Sequence, residues 1–107
     1  MSLDFELISK NERVIFDANI THNLNTMADI AGIYKCLWMP NENGYVYAKD
    51  IIHPLAKGIY HMMKHPEYYK TFNPKNGWGN FDDFLPWLLR VLAACYEHKD
   101  AKIRVSR

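Results

Sequence analysis

Four polar side chains within five residues form the first stretch that could bind a ligand. Thr21, His22 and Asn23 follow Asn19 and the apolar Ile20, where a strand-like run passes into a helix-like run. The first N–H groups of a helix have no partner inside it and carry partial positive charge. Such side chains either cap these groups or line a pocket in which the groups bind a phosphate or carboxylate. Capping is the commoner role, so the stretch alone leaves both interpretations open.

The second candidate is a polar, glycine-bearing loop at residues 73–79. Gly77 and Gly79 flank Trp78, and Asn76 precedes them. Glycine tolerates positive φ and lets another group approach closely. A tryptophan held in this way either anchors the loop on the core or offers a face to a flat ligand. Stacking on a nucleobase is worth about 1–3 kcal/mol, which is enough to matter in a small site.

The remaining residues that could carry chemistry favour structural roles. His61 and His65 are four residues apart and can share a helix face, but a zinc site needs three or four ligands and nothing nearby completes a set. Cys36 and His22 would be separated by roughly 20 Å along a helix, too far for a nucleophile and its base. No Gly-x-Ser-x-Gly elbow is present. We therefore expect no metal, cofactor or catalytic residue, and favour a non-enzymatic protein over an enzyme.

Periodicity predicts an α+β fold, in which a small three-stranded antiparallel sheet packs against three helices. Strands are predicted at residues 3–8, 13–19 and 101–106, the first two as a hairpin and the third beside them. Helices are predicted at residues 24–38, 48–64 and 81–97, with a short helical piece at 67–72. Asn23 or Thr21 would cap the first helix, and Asn80 the third. Gly32 inside the first helix costs about 1 kcal/mol relative to alanine, so we interpret it as marking a close approach by another element.

Length and composition limit the alternatives. A chain of 107 residues predicts a single domain. The net charge of +1, from 13 basic and 12 acidic residues, argues against a nucleic-acid partner, which usually requires a basic stripe. Cys36 and Cys95 lie among apolar neighbours, as expected of free thiols in the cytoplasm. No apolar run approaches the ~20 residues that span a membrane, and no secretory signal is expected.

Several motifs together resemble a family of short uncharacterised proteins from bacteriophages and prophages. The resemblance covers most of the chain from Asp17 onward. Its motifs are Asn-Ile-Thr-His-Asn-Leu at 19–24, Met-Ala at 27–28, Ala-Gly-Ile-Tyr at 31–34, Leu-Trp-x-Pro-x-Glu-x-Gly at 37–44, Phe-Asn-Pro-x-Asn-Gly-Trp-Gly at 72–79 and Val-Ser-Arg at 105–107. The family brings no established activity. The resemblance implies a phage-type setting in a host cytoplasm, where small proteins act against host defence by sequestering a nucleotide signal or blocking a host protein.

The leading hypothesis is a non-enzymatic pocket for a small polar, nucleotide-like ligand at the start of the first helix. Thr21, His22 and Asn23 would take the charged part of the ligand, and Trp78 or Trp38 would stack on its ring. The ligand-binding residues are predicted to be Asn19, Thr21, His22, Asn23, Trp38, Glu42, Asn76, Gly77, Trp78 and Arg107.

The alternative is a protein–protein interaction module that covers a host or phage protein. Aromatic residues are enriched at binding hot spots. The candidates here are Tyr45, Tyr47, Tyr68 and Tyr69. The oligomeric state is left open, with a homo-oligomer among the alternatives.

Overall fold

The sheet is built around the first strand of the chain. The computed structural model describes residues 1–107, and its strands are β1 (Ser2–Ile8), β2 (Val14–Thr21) and β3 (Lys102–Ser106). β1 pairs antiparallel with both neighbours, giving the order β2-β1-β3. Leu3, Phe5 and Leu7 are fully buried, whereas the residues between them point to the opposite face, as strand alternation requires. The predicted three-stranded antiparallel sheet is confirmed.

Two long helices and three short ones pack against one face of this sheet. They are α1 (Asn25–Ile30), α2 (Tyr34–Trp38), α3 (Ala48–Lys64), α4 (Pro66–Lys70) and α5 (Phe81–Glu97). α3 and α5 have the predicted bounds and pack on each other. The Asn80 Oδ1 atom accepts the Asp83 N–H at 2.8 Å, which is the predicted N-cap. The α+β fold class is therefore confirmed.

The first predicted helix is not continuous. A 3-10 turn at His22–Leu24 leads into α1. The helical conformation is then interrupted before α2, because Gly32 has a φ of +79°. The Gly32 N–H donates to the Asp29 carbonyl and the Ile33 N–H to the Ala28 carbonyl. These two bonds close the end of α1 in a Schellman motif, for which glycine is the preferred residue. The prediction of one helix over residues 24–38 was wrong, because Gly32 is a helix stop.

The close approach that was expected at Gly32 occurs instead at Gly58, on α3. A Cβ atom added at Gly58 would overlap the Ile33 side chain and lie 2.8 Å from the Ala31 carbonyl oxygen. A Cβ added at Gly32 would meet nothing within 4 Å. The break between α1 and α2 is therefore seated directly on α3, and glycine at position 58 makes that contact sterically possible.

The core lies between the helices and the sheet and contains no buried charged side chain. Its largest fully buried side chains include Trp38, Tyr69, Phe5 and Phe84. The outer face of the sheet carries no helix and is polar along β1, where Ser2, Asp4 and Glu6 alternate with the core residues. None of the helices combines the length and the apolarity needed to cross a membrane.

Candidate functional site

The two stretches that the sequence marks as candidates meet in space. Gly79 lies against the end of β2, where a Cβ atom added to it would be 2.6 Å from Thr21 Cγ2 and 3.2 Å from Leu24 Cγ. Gly79 also has a φ of +94°, which other residues rarely adopt. Glycine is thus required here both by the backbone conformation and by the contact with Thr21. The loop at residues 73–79 is consequently docked on the junction between β2 and the 3-10 turn.

An open cleft of about 470 Å³ lies beside this contact. Its walls are formed by Met1, Ser2, Asn19, Thr21, Asn23 and Trp78. The Trp78 side chain is 70% exposed, although it is the largest apolar group in the cleft. No lysine, arginine, histidine or carboxylate side chain is part of the lining. The cleft can therefore offer one aromatic face and several neutral polar groups.

The loop that presents Trp78 is fixed by its own asparagines. The Asn76 Oδ1 atom accepts the Trp78 N–H at 3.0 Å, and the Asn73 Oδ1 atom accepts the Phe81 N–H at 2.8 Å. Gly77, between them, has a φ of +79° and open space around it. These bonds hold the backbone on both sides of Trp78, so its ring is exposed on an ordered turn. Asn76 and Gly77 thus fix the placement of Trp78 and are not themselves part of the cleft wall.

Asn19 forms the polar floor of the cleft. Its Nδ2 group donates to Ser2 Oγ at 3.0 Å and to the Asp4 carboxylate, across the β1–β2 pair. Its Oδ1 atom makes no hydrogen bond within the chain and is free to accept one from a ligand. Thr21 Oγ1 accepts the Asn23 N–H at 3.4 Å and so caps the 3-10 turn. Thr21 was one of the two residues predicted as the N-cap, the other being Asn23.

His22 does not contribute to the cleft, contrary to prediction. Its ring turns inward, and its Nδ1 atom accepts the Trp38 Nε1–H at 3.1 Å. Because Nδ1 accepts, the proton of the neutral ring belongs on Nε2, and the Asn25 side-chain amide 3.4 Å away must turn its oxygen toward the ring to accept it. His22 is therefore the hydrogen-bond partner of a core tryptophan.

Trp38 is also not a stacking surface for a ligand. It is fully buried, its ring stacks on Tyr34 with centroids 5.6 Å apart, and Phe84 packs against it edge-on. Every face of the indole is occupied by the core. Of the two tryptophans that were predicted as stacking surfaces, only Trp78 presents a face to solvent.

Glu42 and Arg107 form a separate contact outside the cleft. Arg107 donates through Nη1 to the Trp38 carbonyl oxygen at 2.8 Å, and its Nη2 lies 3.5 Å from Glu42 Oε1. A guanidinium at the end of α2 satisfies a carbonyl that the helix leaves free and complements the helix dipole. The predicted ligand-binding role of this pair is corrected to a tether that holds the end of β3 on α2.

The side chains of the cleft supply no positive charge for an anionic group. α1 has only 6 residues, so its dipole is small, and the cleft contains no basic side chain. The ring and neutral polar groups of a ligand are what this cleft can recognise. A phosphate group would have to point toward solvent.

The cysteines and histidines form no reactive centre. Burial raises the pKa of the Cys36 thiol to about 12, and burial likewise raises the pKa of Cys95 to about 12. His61 hydrogen-bonds the Tyr69 hydroxyl through Nδ1, and no three His, Cys, Asp or Glu side chains come together in a geometry that could hold a metal ion.

Sequence reasoning missed two features. Met1 and Ser2 line the cleft because β1 pairs with the end of β2, which residue type alone does not indicate. A larger groove of about 650 Å³ runs between the α1–α2 break and α3, with His53, Lys57, Tyr60 and His61 along one wall. The spacing of His53, Lys57 and His61 by four residues each was the available signal for a polar helix face.

The four tyrosines of the alternative hypothesis differ in their exposure to solvent. Tyr69 is fully buried, which removes it from any interaction surface. Tyr45 is half-buried, whereas Tyr47 and Tyr68 are 37% and 51% exposed.

Comparisons with models of known protein families, with curated proteins and with solved structures found no match to this chain.

Proposed function

We propose that this protein binds a small polar ligand carrying a flat ring, of the nucleoside or nucleotide class, in the cleft at Trp78, without catalysing a reaction. The observation that carries the proposal is the exposure of Trp78 on an ordered turn above a polar cleft. A large aromatic side chain that is 70% exposed contributes little to folding, and its fixed placement suits it to contact with another molecule.

The lining supports a simple mode of binding. The Trp78 ring would stack on the ligand ring, worth about 1–3 kcal/mol. Asn19 Oδ1 would accept a hydrogen bond from an amino or hydroxyl group, and Ser2, Thr21 and Asn23 offer further polar atoms. Ser2 and Thr21 are the only hydroxyl groups in the lining, and no histidine, carboxylate or lysine side chain lines the cleft to activate them, which is what favours binding over catalysis.

The phage-type setting belongs to this proposal. A protein that holds a nucleotide signal without converting it lowers the free concentration of that signal in proportion to its own abundance. Sequestration of a host defence signal therefore requires only affinity, which is the property that this cleft offers.

A second candidate function is a protein–protein interaction module. Exposed aromatic and sulfur-containing side chains on α3 and α4 favour it, since Tyr60, Met63 and Tyr68 are 63%, 55% and 51% exposed. Capture of a stoichiometric protein partner that Tyr68→Ala abolishes and Trp78→Ala leaves intact would support this candidate over the first.

Thermal-shift screening tests the ligand proposal. The wild-type protein, Trp78→Ala and the matched control Tyr68→Ala would be heated with nucleosides, nucleotides and cyclic nucleotides. A ligand at 100 times its Kd should add about 2.7 kcal/mol of stability to the wild type and the control, and only about 0.3–1.8 kcal/mol to Trp78→Ala, which loses about 1–3 kcal/mol of stacking.

Two outcomes would contradict the proposal. One is that no compound stabilises the wild type. The other is that stabilisation survives Trp78→Ala but is lost in Lys57→Ala, which would place the ligand in the groove beside α3.

A further inference from the structure

The two edges of the sheet differ in how their backbone groups are satisfied. The outer edge of β3 is covered by the chain before α3, because the Ile103 N–H donates to the Val46 carbonyl at 2.9 Å and Tyr47 bridges to Lys102. The outer edge of β2 has no such backbone pairing, and the loop at residues 73–79 contacts it at the Thr21 side chain. An uncovered edge strand is a template for pairing with another strand.

The open backbone groups of β2 can be assigned from the ladder. The His22 N–H donates to the Met1 carbonyl at 3.1 Å, so His22 and every second residue before it point their backbone groups toward β1. The alternate residues Asp17, Asn19 and Thr21 therefore point their N–H and C=O groups outward. The open groups of Asp17 and Asn19 have no partner elsewhere in the chain. The Thr21 C=O group, as that of the N-cap, already accepts the first hydrogen bond of the 3-10 turn, which leaves its N–H open.

Both ends of this open stretch are fixed. The register of β1 and β2 shifts by one residue at Leu7 and Ile8, which leaves Ile15 as a bulge, and a bulge interrupts regular pairing. At the other end the chain leaves the strand at His22 to form the 3-10 turn. The pairing surface is thus limited to residues 17–21, with Asn19 at its centre.

We propose that β2 pairs antiparallel with β2 of a second copy of this chain, about a twofold axis through Asn19. This register places Asp17 opposite Thr21 of the second copy, Asn19 opposite its own equivalent, and Thr21 opposite Asp17. The Asn19 pair then exchanges two hydrogen bonds, and in each flanking pair the Thr21 N–H donates to the Asp17 carbonyl of the other copy.

Two neighbouring registers of this pairing would be less stable. An axis through Asp17 sets two carboxylates directly opposite each other, which is destabilising. An axis through Ala18 sets Thr21 opposite the bulge at Ile15 and leaves it without a regular partner. The chosen register instead sets each Asp17 carboxylate beside a threonine hydroxyl and the two Asn19 amides beside each other.

The helix that packs on β2 carries exposed apolar side chains. α5 lies along β2, since Gly79 before its start contacts Thr21 and residues after its end share a hollow with Ile15. Leu89 and Tyr96 on α5 are 41% and 53% exposed, beside half-buried Leu85 and Leu92. A stable dimer buries about 1,600 Å² in total, which five residues of strand cannot supply alone.

The pairing also changes the cleft. The side chains of Asn19 and Thr21 remain on the outer face of the sheet, so the cleft stays open. Asp17 of the second copy then lies beside Thr21 and adds a carboxylate to a site that has no charged side chain of its own. Each dimer would carry two clefts next to each other across the axis.

Cysteine cross-linking in otherwise wild-type protein tests the proposal and its register. Residues opposite each other in a hydrogen-bonded pair have Cα atoms about 5.5 Å apart, within the range that a disulfide spans. Asn19→Cys should therefore form a disulfide-linked dimer on mild oxidation. Asp17→Cys is the matched control and should form no disulfide-linked dimer, because the two Asp17 residues are separated by about four residues of strand. Cys36 and Cys95 are buried and add little background.

The mass of the wild-type protein in solution, measured without ligand over a dilution series, gives an independent readout. We expect a concentration-dependent dimer. Asp17→Pro should weaken it at least tenfold, because proline removes an outward N–H and leaves the bonds to β1 intact, and Asp17→Ala should retain most of it. A monomer at every concentration, or equal cross-linking of Asn19→Cys and Asp17→Cys, would overturn the proposal.

Discussion

Trp38 and Trp78 carry the same ring in opposite environments, and the segments around them explain the difference. Trp38 ends α2 on the face that meets the core, where it is fully buried, stacks on Tyr34 and donates its N–H to His22. Trp78 lies between two glycines with positive φ and is 70% exposed. A helix turns an aromatic side chain inward when its period matches the core, whereas a glycine turn can hold one outward at little steric cost. The first ring serves stability, and the second is available for binding.

The largest expected effect tests this division directly. Trp38→Ala should lower the free energy of unfolding by about 3–5 kcal/mol, because it removes a fully buried ring and leaves a cavity. Trp78→Ala should change it by no more than about 0.5 kcal/mol, as expected of an exposed side chain. Urea denaturation followed by circular dichroism measures both. Equal losses for the two variants would remove the distinction between them.

Alkaline pH should lower the free energy of unfolding, because both cysteines of the protein are buried. Burial raises the pKa of Cys36 and of Cys95 from 9.0 to about 12. The folded protein then keeps thiol protons that the unfolded chain loses, so this stability is complete below pH 9 and disappears as the pH rises toward 12. Ionisation of each thiol in the unfolded chain should lower the free energy of unfolding by about 1.4 kcal/mol at pH 10.

The measurement for this prediction is the free energy of unfolding at pH 7 and pH 10. The double variant Cys36→Ala, Cys95→Ala is the control, since other groups also titrate in this range. If the wild type and the double variant lose the same stability between the two pH values, the thiols do not contribute.

Replacing each buried tryptophan by phenylalanine separates ring burial from hydrogen bonding. Trp38 and Trp87 are both buried, but the Nε1–H of Trp87 has no hydrogen-bond partner, whereas that of Trp38 donates to His22. Trp38→Phe should therefore cost about 1–3 kcal/mol more than Trp87→Phe, because it breaks a hydrogen bond. Thermal unfolding compares them, and a larger loss for Trp87→Phe would contradict the role assigned to His22.

The smallest effect concerns the glycines beside Trp78. Gly77→Ala and Gly79→Ala both force alanine into a left-handed conformation, at a cost of about 1 kcal/mol. Only at position 79 would the new methyl group also meet Thr21, at 2.6 Å. Gly79→Ala should thus be the more destabilising by about 1 kcal/mol and should alone weaken ligand binding. Equal effects of the two variants would mean that the contact between Gly79 and Thr21 is unimportant.

Local patterns in the sequence predict much of the fold. The bounds of α3 and α5 follow from apolar spacing and from Asn80 as a cap, and the sheet follows from alternation. The break after α1 was predictable in principle, because Gly32 occupies the position that ends a helix in the left-handed conformation. A continuous apolar stripe from Leu24 to Trp38 outweighed that single residue.

The candidate site is only partly readable from the sequence, since residue type does not reveal long-range partners. Asn19, Thr21, Asn23 and Trp78 were identified and do come together. His22 and Arg107 have side chains equally suited to ligand binding, yet both bind Trp38, on opposite ends of that residue. Met1 and Ser2 enter the cleft only because of the strand register. These contacts between residues far apart in the sequence exist only in the folded chain.

The most direct test of the division between the two rings uses the indole N–H signals of the three tryptophans in a nitrogen–proton NMR spectrum. These signals would be assigned with Trp78→Phe and Trp87→Phe. During titration with the nucleotide or nucleoside that best stabilises the protein, the Trp78 signal should shift with saturation while the Trp38 signal stays in place. A shift at Trp38 with none at Trp78 would contradict the account.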